Sequence, residues 1–253
     1  MLLAVDAGNT QTVVGVYRGD QLVDHWRTAT NSERTSDEHA LLVAQFLGLV
    51  GSSFSEVSGM AVSSSVPRLT AALREMGERY LRGPVIVLGP GTRSGMPILY
   101  DNPKDVGADR IANAVGAYDR YGGPTIVVDF GTATTVDAVS ARGEYLGGAI
   151  LPGIEISLDA LFARAAALRR VDLAEPRNVI GRSTIESIQS GTLYGFASAV
   201  DGLCRRFQAE LGESTIVATG GLSPLLAPVS DCIGLQDPWL TLHGLRLLYE
   251  KNS

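Results

Sequence analysis

The sequence predicts an α/β protein built from two duplicated α/β domains, residues 1–115 and 116–253, that face a central cleft. Strands alternate with helices along the whole chain, which is the pattern of α/β layers. The opening "AVDAGNTQTVVGV" is repeated past the midpoint as "VVDFGTATTVDAV". Asp6 falls on Asp129, Gly8 on Gly131 and Thr12 on Thr135 at one constant offset, so the two copies read as an internal repeat. In both, a buried strand runs into an aspartate and a glycine-threonine turn before the next strand begins.

The elements follow in order. Leu2–Val5 forms a buried strand, Asp6–Thr10 a polar turn, Thr12–Tyr17 a strand, Gly19-Asp20 a tight turn and Gln21–Trp26 a third strand, a hairpin pattern. Thr35 and Glu38 have capping-box spacing ahead of the apolar run "HALLVAQFLGLV". "VSGMAVSSSV" and "PVIVLG" are strands around a helix from about Arg68 to Leu81. In "YDNPKDVGADRIANAVGAY", Val106, Ile111, Val115 and Tyr118 line one helical face, with Asp109, Arg110 and Asn113 away from it. Ser183 and Glu186 open a long helix whose stripe is Ile185, Ile188, Thr192, Phe196, Ala199, Leu203 and Phe207. A strand with paired glycines, "STIVATGGL", and a terminal helix in "PWLTLHGLRLLYEK" close the second domain.

Composition narrows the function. Hydrophobic residues make 45% of the 253 and charged residues 19%, enough apolar surface for large cores. The net charge of -6 leaves no basic footprint, so nucleic acid is not an expected partner. No apolar run approaches a membrane span and Asp6 interrupts the N-terminal apolar stretch, so no membrane partner and a cytoplasmic location are expected. Cys204 and Cys232 lack metal-ligand spacing and read as structural thiols. His25, His39 and His243 are scattered, and neither a Walker loop nor a nucleophile elbow is present.

The repeated turns carry the chemistry. Glycine lets a ligand approach the backbone, and threonine and asparagine add donors beside the exposed N–H groups; such concave donor arrays bind phosphate. An aspartate at the strand end suits a cation that bridges phosphate oxygens. One copy alone is equally good turn chemistry; two copies in register point to a metal–nucleotide site. Asp109 beside Arg110 at a helix entrance has two readings. One is an exposed ion pair of little energetic worth. The other is a catalytic pair, with Asp109 accepting a proton from a substrate hydroxyl and Arg110 holding an anionic group of that substrate.

The ordered set "DAGNT", "YDNPKDVGADR", "DFGTATT", "GGAILPG" and "GRSTIESIQSG" closely resembles the type III pantothenate kinases, and it spans residues 2 to about 222. That resemblance implies two ribonuclease-H-like domains of the actin-like ATPase superfamily and ATP-dependent phosphorylation of pantothenate to 4'-phosphopantothenate, the first step toward coenzyme A. By motif, Asp6, Ala7, Gly8, Asn9, Thr10, Gln11, Thr12 and Val13 form the first phosphate loop, with Asp6 near Mg2+, and Thr132 belongs to the second. The resemblance makes Asp129 a ligand of a monovalent cation, K+ or NH4+, and Asp109 the proton acceptor. Tyr100, Gly107, Ala108, Asp109, Arg110 and Thr184 contact pantothenate, and Asn9 reaches toward it. A homodimer along the long helix of residues 183–211 is also implied. Two alternatives remain: a kinase of the same superfamily acting on a sugar or small acid, and a non-catalytic regulatory protein on the same fold.

Overall fold

The computed structural model describes residues 1–165 and 168–253. Two compact units result, Met1–Gly116 together with Leu240–Ser253, and Ala117–Trp239.

In the first unit, β1 (Leu2–Ala7) is central to a sheet with β2 (Gln11–Arg18), β3 (Gln21–Ala29), β4 (Gly59–Ser64) and β5 (Val85–Val87), in the order β3-β2-β1-β4-β5. β1 pairs antiparallel with β2 and parallel with β4. A strand flanked this way and covered on both faces must be apolar almost throughout, and in β1 only Asp6 is less than fully buried. Helices α1 (Ser36–Leu49) and α2 (Pro67–Tyr80) supply one cover, meeting Leu3, Val5 and Met60 through Leu47, Leu73 and Met76. The α1 capping box forms in full. Thr35 Oγ1 accepts from the Glu38 amide and the Glu38 carboxylate accepts from the Thr35 amide at 2.8 Å, a cap worth about 1 kcal/mol. The opening turn is shorter than its residues suggest, because Asp6, Ala7 and Gln11 pair within the strands and leave Gly8–Thr10 between them.

The last helix, α7 (Leu240–Asn252), packs in the first unit against β1, β4 and β2. The sequence reading assigned this segment to the second domain. Two glycines on the strands make room for it: a Cβ at Gly15 would lie 2.7 Å from a Leu242 methyl, and one at Gly59 would lie 2.0 Å from the Tyr249 hydroxyl.

Helix α3 (Ala108–Tyr121) carries the chain from one unit into the next. Of its expected polar face only Asp109 is exposed. Arg110 is 7% exposed and Asn113 is fully buried, whereas Tyr118, placed by periodicity on the apolar face, is 37% exposed. Small residues are the cause. Ala112 and Gly116 let α7 approach so closely that a Cβ at Gly244 would lie 1.8 Å from the Ala112 carbonyl oxygen, and Thr241 Oγ1 donates to Asn113 Oδ1 at 2.7 Å.

The second unit repeats the topology. Here β6 (Thr125–Phe130) is central, β7 (Ala133–Val139) and β8 (Tyr145–Pro152) form the antiparallel side, and β9 (Thr215–Thr219) and β10 (Leu235–Gln236) the parallel side, in the order β10-β9-β6-β7-β8. Helices α4 (Ile154–Arg164), α5 (Thr184–Leu211) and the short α6 (Ser223–Leu226) complete it. The stripe that α5 buries is Leu193, Ala197, Val200 and Cys204. The predicted stripe lies beside it: Phe196, Leu203 and Phe207 are only half-buried and Ile185 is 56% exposed. Ser183 caps α5 by accepting from the Glu186 amide at 3.2 Å, but the Glu186 carboxylate turns to the Arg182 amide and the Arg177 guanidinium rather than back to Ser183. Both cysteines are free, and burial pushes the Cys204 thiol up to about 12, as suits a packing residue.

Candidate active site

The first turn sits where the central strand of the first unit ends. Asp6, half-buried, pairs with Val13 and Ser63, and the Gly8 amide closes the turn on the Gln11 carbonyl at 3.0 Å. Asn9, Thr10 and Gln11 are exposed, while Ala7 and Thr12 are buried and Val13 is half-buried. Thr30, just beyond β3, holds the turn from behind. Its hydroxyl donates to the Gly8 carbonyl at 2.7 Å, its amide donates to the Thr10 carbonyl at 2.9 Å, and its Oγ1 lies 2.9 Å from Thr12 Oγ1.

The segment ahead of α3 and the helix's first turn place Tyr100, Gly107, Ala108, Asp109 and Arg110 in the same unit. Asn102 organises the approach, since its side chain accepts from the Lys104 amide and donates to Asp105 at 2.8 Å. Asp109 lies exposed in the first helical turn, where the positive end of the helix favours a carboxylate. Its Oδ1 accepts from the Arg110 amide at 2.9 Å, and the carboxylate folds over Gly107, where a Cβ would lie 2.4 Å from it. Gly107 thus leaves this carboxylate its position, and a side chain there would displace it. Tyr100 is 37% exposed.

The second unit forms its own turn. Asp129, half-buried, is the next-to-last residue of β6 and neighbours Thr219 on β9. Gly220, next in the chain, has φ +89°, and a Cβ there would lie 2.4 Å from Asp129 Oδ1 and 2.6 Å from the Phe130 carbonyl oxygen. The Asp129 carboxylate and the Phe130 carbonyl of this corner are hard oxygen donors, a set compatible with a hard cation. Among the described residues no group of three His, Cys, Asp or Glu could hold a metal. A single carboxylate at the first turn fits Mg2+, which is commonly held through one or two carboxylates and the substrate's own phosphates.

One part of the repeat is corrected. Ala7 faces Thr12 across the first turn, but Phe130 faces Thr134 across the second, so the second turn is one residue shorter and Thr134, not Thr135, stands where Thr12 stands. Burial agrees, with Thr12 and Thr134 buried and Thr135 only half-buried. Gly131 closes the turn on the Ala133 carbonyl at 3.1 Å, with half-buried Thr132 between them. Gly153 stands in Thr30's place, packed so tightly that a Cβ would lie 2.0 Å from the Thr132 carbonyl oxygen. The hydroxyl that partners Thr12 in the first unit therefore has no counterpart, and the buried Thr134 Oγ1 has no hydrogen-bond partner.

Thr184 is the first residue of α5 and is exposed; Ser183 does the capping, so the Thr184 hydroxyl is not spent on the helix end. It lines a cavity of about 920 Å³ with Leu158, Leu161, Ile188, Thr192 and Phe196, all within the second unit. Of the site residues read from the sequence, the structure groups Asp6–Val13 and Tyr100–Arg110 in the first unit, and Asp129, Thr132 and Thr184 in the second. Thr30 and Gly220 escaped that reading. The paired glycines after β9 were a usable signal for Gly220, but nothing in the spacing of Thr30 marks it.

Two five-stranded sheets of one topology, each with an aspartate near the end of its central strand and a glycine turn after it, define a duplicated ribonuclease-H-like α/β fold. Solved structures share it. The activator of the 2-hydroxyisocaproyl-CoA dehydratase from Clostridium difficile with bound ADPNP aligns with a TM-score of 0.60 at 13% identity, covering 99% of this chain and 95% of that one. The (R)-2-hydroxyglutaryl-CoA dehydratase component A of Acidaminococcus fermentans aligns with a TM-score of 0.60 at 14% identity, covering 100% and 99%. Identities this low show the fold alone. The sequence comparisons go further. The family model for type III pantothenate kinase matches residues 2–206. A type III pantothenate kinase of Myxococcus xanthus is 54% identical over 253 residues, covering 100% of this chain and 99% of its own, and one of Moorella thermoacetica is 51% identical over 254 residues, covering 100% of both. The chain belongs to the type III pantothenate kinase family, ATP- and divalent-metal-dependent enzymes that phosphorylate pantothenate in coenzyme A biosynthesis.

Proposed function

We propose that this reaction proceeds by direct in-line transfer, with Asp109 as the general base. The observation that carries the reading is the placement of Asp109: an exposed carboxylate in the first turn of a helix, held by the Arg110 amide and given room by Gly107. Asp109 takes the proton of the primary hydroxyl of pantothenate as that oxygen attacks the γ-phosphorus and the bond to the bridging oxygen of the leaving ADP breaks. General-base assistance of this kind contributes about 10²–10⁴-fold. Arg110 holds the pantothenate carboxylate, and Tyr100, Gly107, Ala108 and Thr184 complete the substrate contacts, with Asn9 reaching in from the turn. Asp6 through Val13 and Thr132 hold the phosphates of ATP through backbone and hydroxyl donors.

Phosphoryl transfer asks a protein chiefly for positioning and charge neutralisation. Mg2+ beside Asp6 neutralises phosphate charge when bound, and a monovalent cation, K+ or NH4+, at Asp129 adds to it. The protein acts as a homodimer along α5. The support is the helix's second apolar stripe, Ile185 with the half-buried Phe196, Leu203 and Phe207, which the unit's own core leaves partly uncovered, together with Val179 and Ile180, 64% and 82% exposed. No helix among the described residues is long and apolar enough to cross a membrane.

The test is ADP release from purified protein with ATP, Mg2+ and pantothenate, with sodium and then potassium as the sole monovalent cation. Pantothenate-dependent turnover that appears with potassium supports substrate and cation together. Turnover with a sugar or small acid in place of pantothenate would refute the substrate contacts, and equal rates in sodium and potassium would refute the cation site.

A further inference from the structure

Thr30 lies outside the first turn in sequence, yet it touches that turn at three points. Its hydroxyl donates to the Gly8 carbonyl at 2.7 Å, its amide donates to the Thr10 carbonyl at 2.9 Å, and its Oγ1 is 2.9 Å from Thr12 Oγ1. A trans peptide points its C=O and the following N–H in opposite directions. Drawing the Gly8 and Thr10 carbonyls toward Thr30 therefore turns the Asn9 and Gln11 amides away from β3, onto the exposed side of the turn where both residues lie. Two amides turned to one side of the turn in this way offer a pair of donors to one phosphate group.

We infer that Thr30 is a positioning residue for nucleotide phosphate: it locks two carbonyls of the first turn backward so that the Asn9 and Gln11 amides face the ATP phosphates before ATP arrives. The duplicated unit supplies the contrast. Gly153 holds the matching place there, with no hydroxyl to give, and the turn it backs is one residue shorter. The longer first turn has an extra peptide whose orientation the sheet ladder alone leaves undecided, and Thr30 decides it. Orienting the donors ahead of binding removes a reorganisation cost that ATP would otherwise meet. Thr30 touches no reacting atom, and what it orients is backbone amides aimed at phosphate, so its effect falls first on ATP binding and far less on pantothenate, although Asn9 of the same turn reaches toward that substrate.

This inference rests on the reading of Asp6–Val13 as a phosphate-binding turn, and the experiment separates the two. Steady-state kinetics are measured for Thr30→Val, which keeps shape and amide but loses the hydroxyl, and for the pair Thr30→Ala and Thr30→Ser, which differ in the hydroxyl alone. Thr30→Val and Thr30→Ala are expected to raise KM for ATP about tenfold, the worth of one hydrogen bond to a positioned carbonyl. KM for pantothenate stays within roughly twofold, and Thr30→Ser recovers the ATP value. Wild-type KM for ATP in Thr30→Val and Thr30→Ala, equal rises for both substrates, or a Thr30→Ser as impaired as Thr30→Ala overturns the inference. In wild-type protein, backbone amide NMR with adenylyl imidodiphosphate and Mg2+ is expected to move the Asn9 and Gln11 resonances. If those amides stay still, the phosphate-turn reading fails and the role of Thr30 fails with it; if they move while the variants bind ATP normally, only the role of Thr30 fails.

Discussion

The Tyr145 hydroxyl donates to the Asp137 carboxylate at 2.7 Å with both side chains fully buried, and Thr135 Oγ1 donates to the other carboxylate oxygen at 3.1 Å. A buried carboxylate is tolerable only while its lone pairs are met, so removing one donor costs more than the bond itself returns. Tyr145→Phe is expected to lower unfolding stability by about 1–3 kcal/mol, whereas Tyr118→Phe, at an exposed ring, shifts it by no more than about 0.5 kcal/mol. Urea unfolding of the two variants side by side checks this. Equal effects would mean that the buried pair contributes nothing particular.

His39 on α1 is 6% exposed and its Nε2 has no hydrogen-bond partner. Burial, aided by the Arg34 charge, lowers its pKa from 6.5 to about 4. The folded state thus resists protonation that the unfolded chain accepts. The stability this neutral ring contributes is present above 6.5 and is lost as pH falls toward 4. The full loss approaches about 3 kcal/mol. Replacing His39 by leucine is expected to flatten that part of the stability profile, read from unfolding at a series of pH values. A wild-type slope that survives the substitution assigns it to another group.

Asp109→Asn keeps the size of the side chain and removes its basicity. Turnover is expected to fall by about 10²-fold or more while the melting temperature stays near that of the parent. Near-normal kcat in a folded variant would exclude the general-base role.

Arg110→Ala tests the substrate side. Loss of a forked charge-assisted contact with a carboxylate is expected to raise KM for pantothenate about tenfold to a hundredfold. Because Arg110 is buried, a circular-dichroism melt accompanies the kinetics. A rise in KM for ATP alone would move Arg110 out of the pantothenate site.

Asp129→Ala removes the one carboxylate at the second turn. Activation by potassium over sodium is expected to disappear, with the residual rate the same in both salts. An unchanged potassium dependence would place the cation elsewhere.

Much of the fold was readable because it is written locally. The Thr35–Glu38 box, the Gly19 turn at φ +62°, and the apolar run of β1 each act within a few residues, and each formed where expected. The ordered motifs also identified the family, since a string of turns and strand ends is a property of the chain itself. Register is a different matter. Side chains alternate across a strand, so a turn one residue shorter moves every later side chain to the opposite face. The repeat pairs Thr12 with Thr135 by offset, and only the β6–β7 pairing puts Thr134 in that place.

What the sequence by itself determined is the set of elements, their order, the duplicated turns and the membership of the family. Tertiary structure alone decided which faces are covered. The buried stripe of α5 lies beside the periodic one because the core of the second unit meets the helix along Leu193, Ala197 and Val200. Arg110 and Asn113 of the predicted polar side of α3 became interior because Ala112, Gly116 and Gly244 let two helices close on each other, and α7 returned to the first sheet because Gly15 and Gly59 left it space. Thr30 gained its role only from the β2–β3 pairing that brings it behind Gly8 and Thr10. Periodicity reports one element's own faces; which face is buried depends on partners far along the chain, and those meet only in the folded protein.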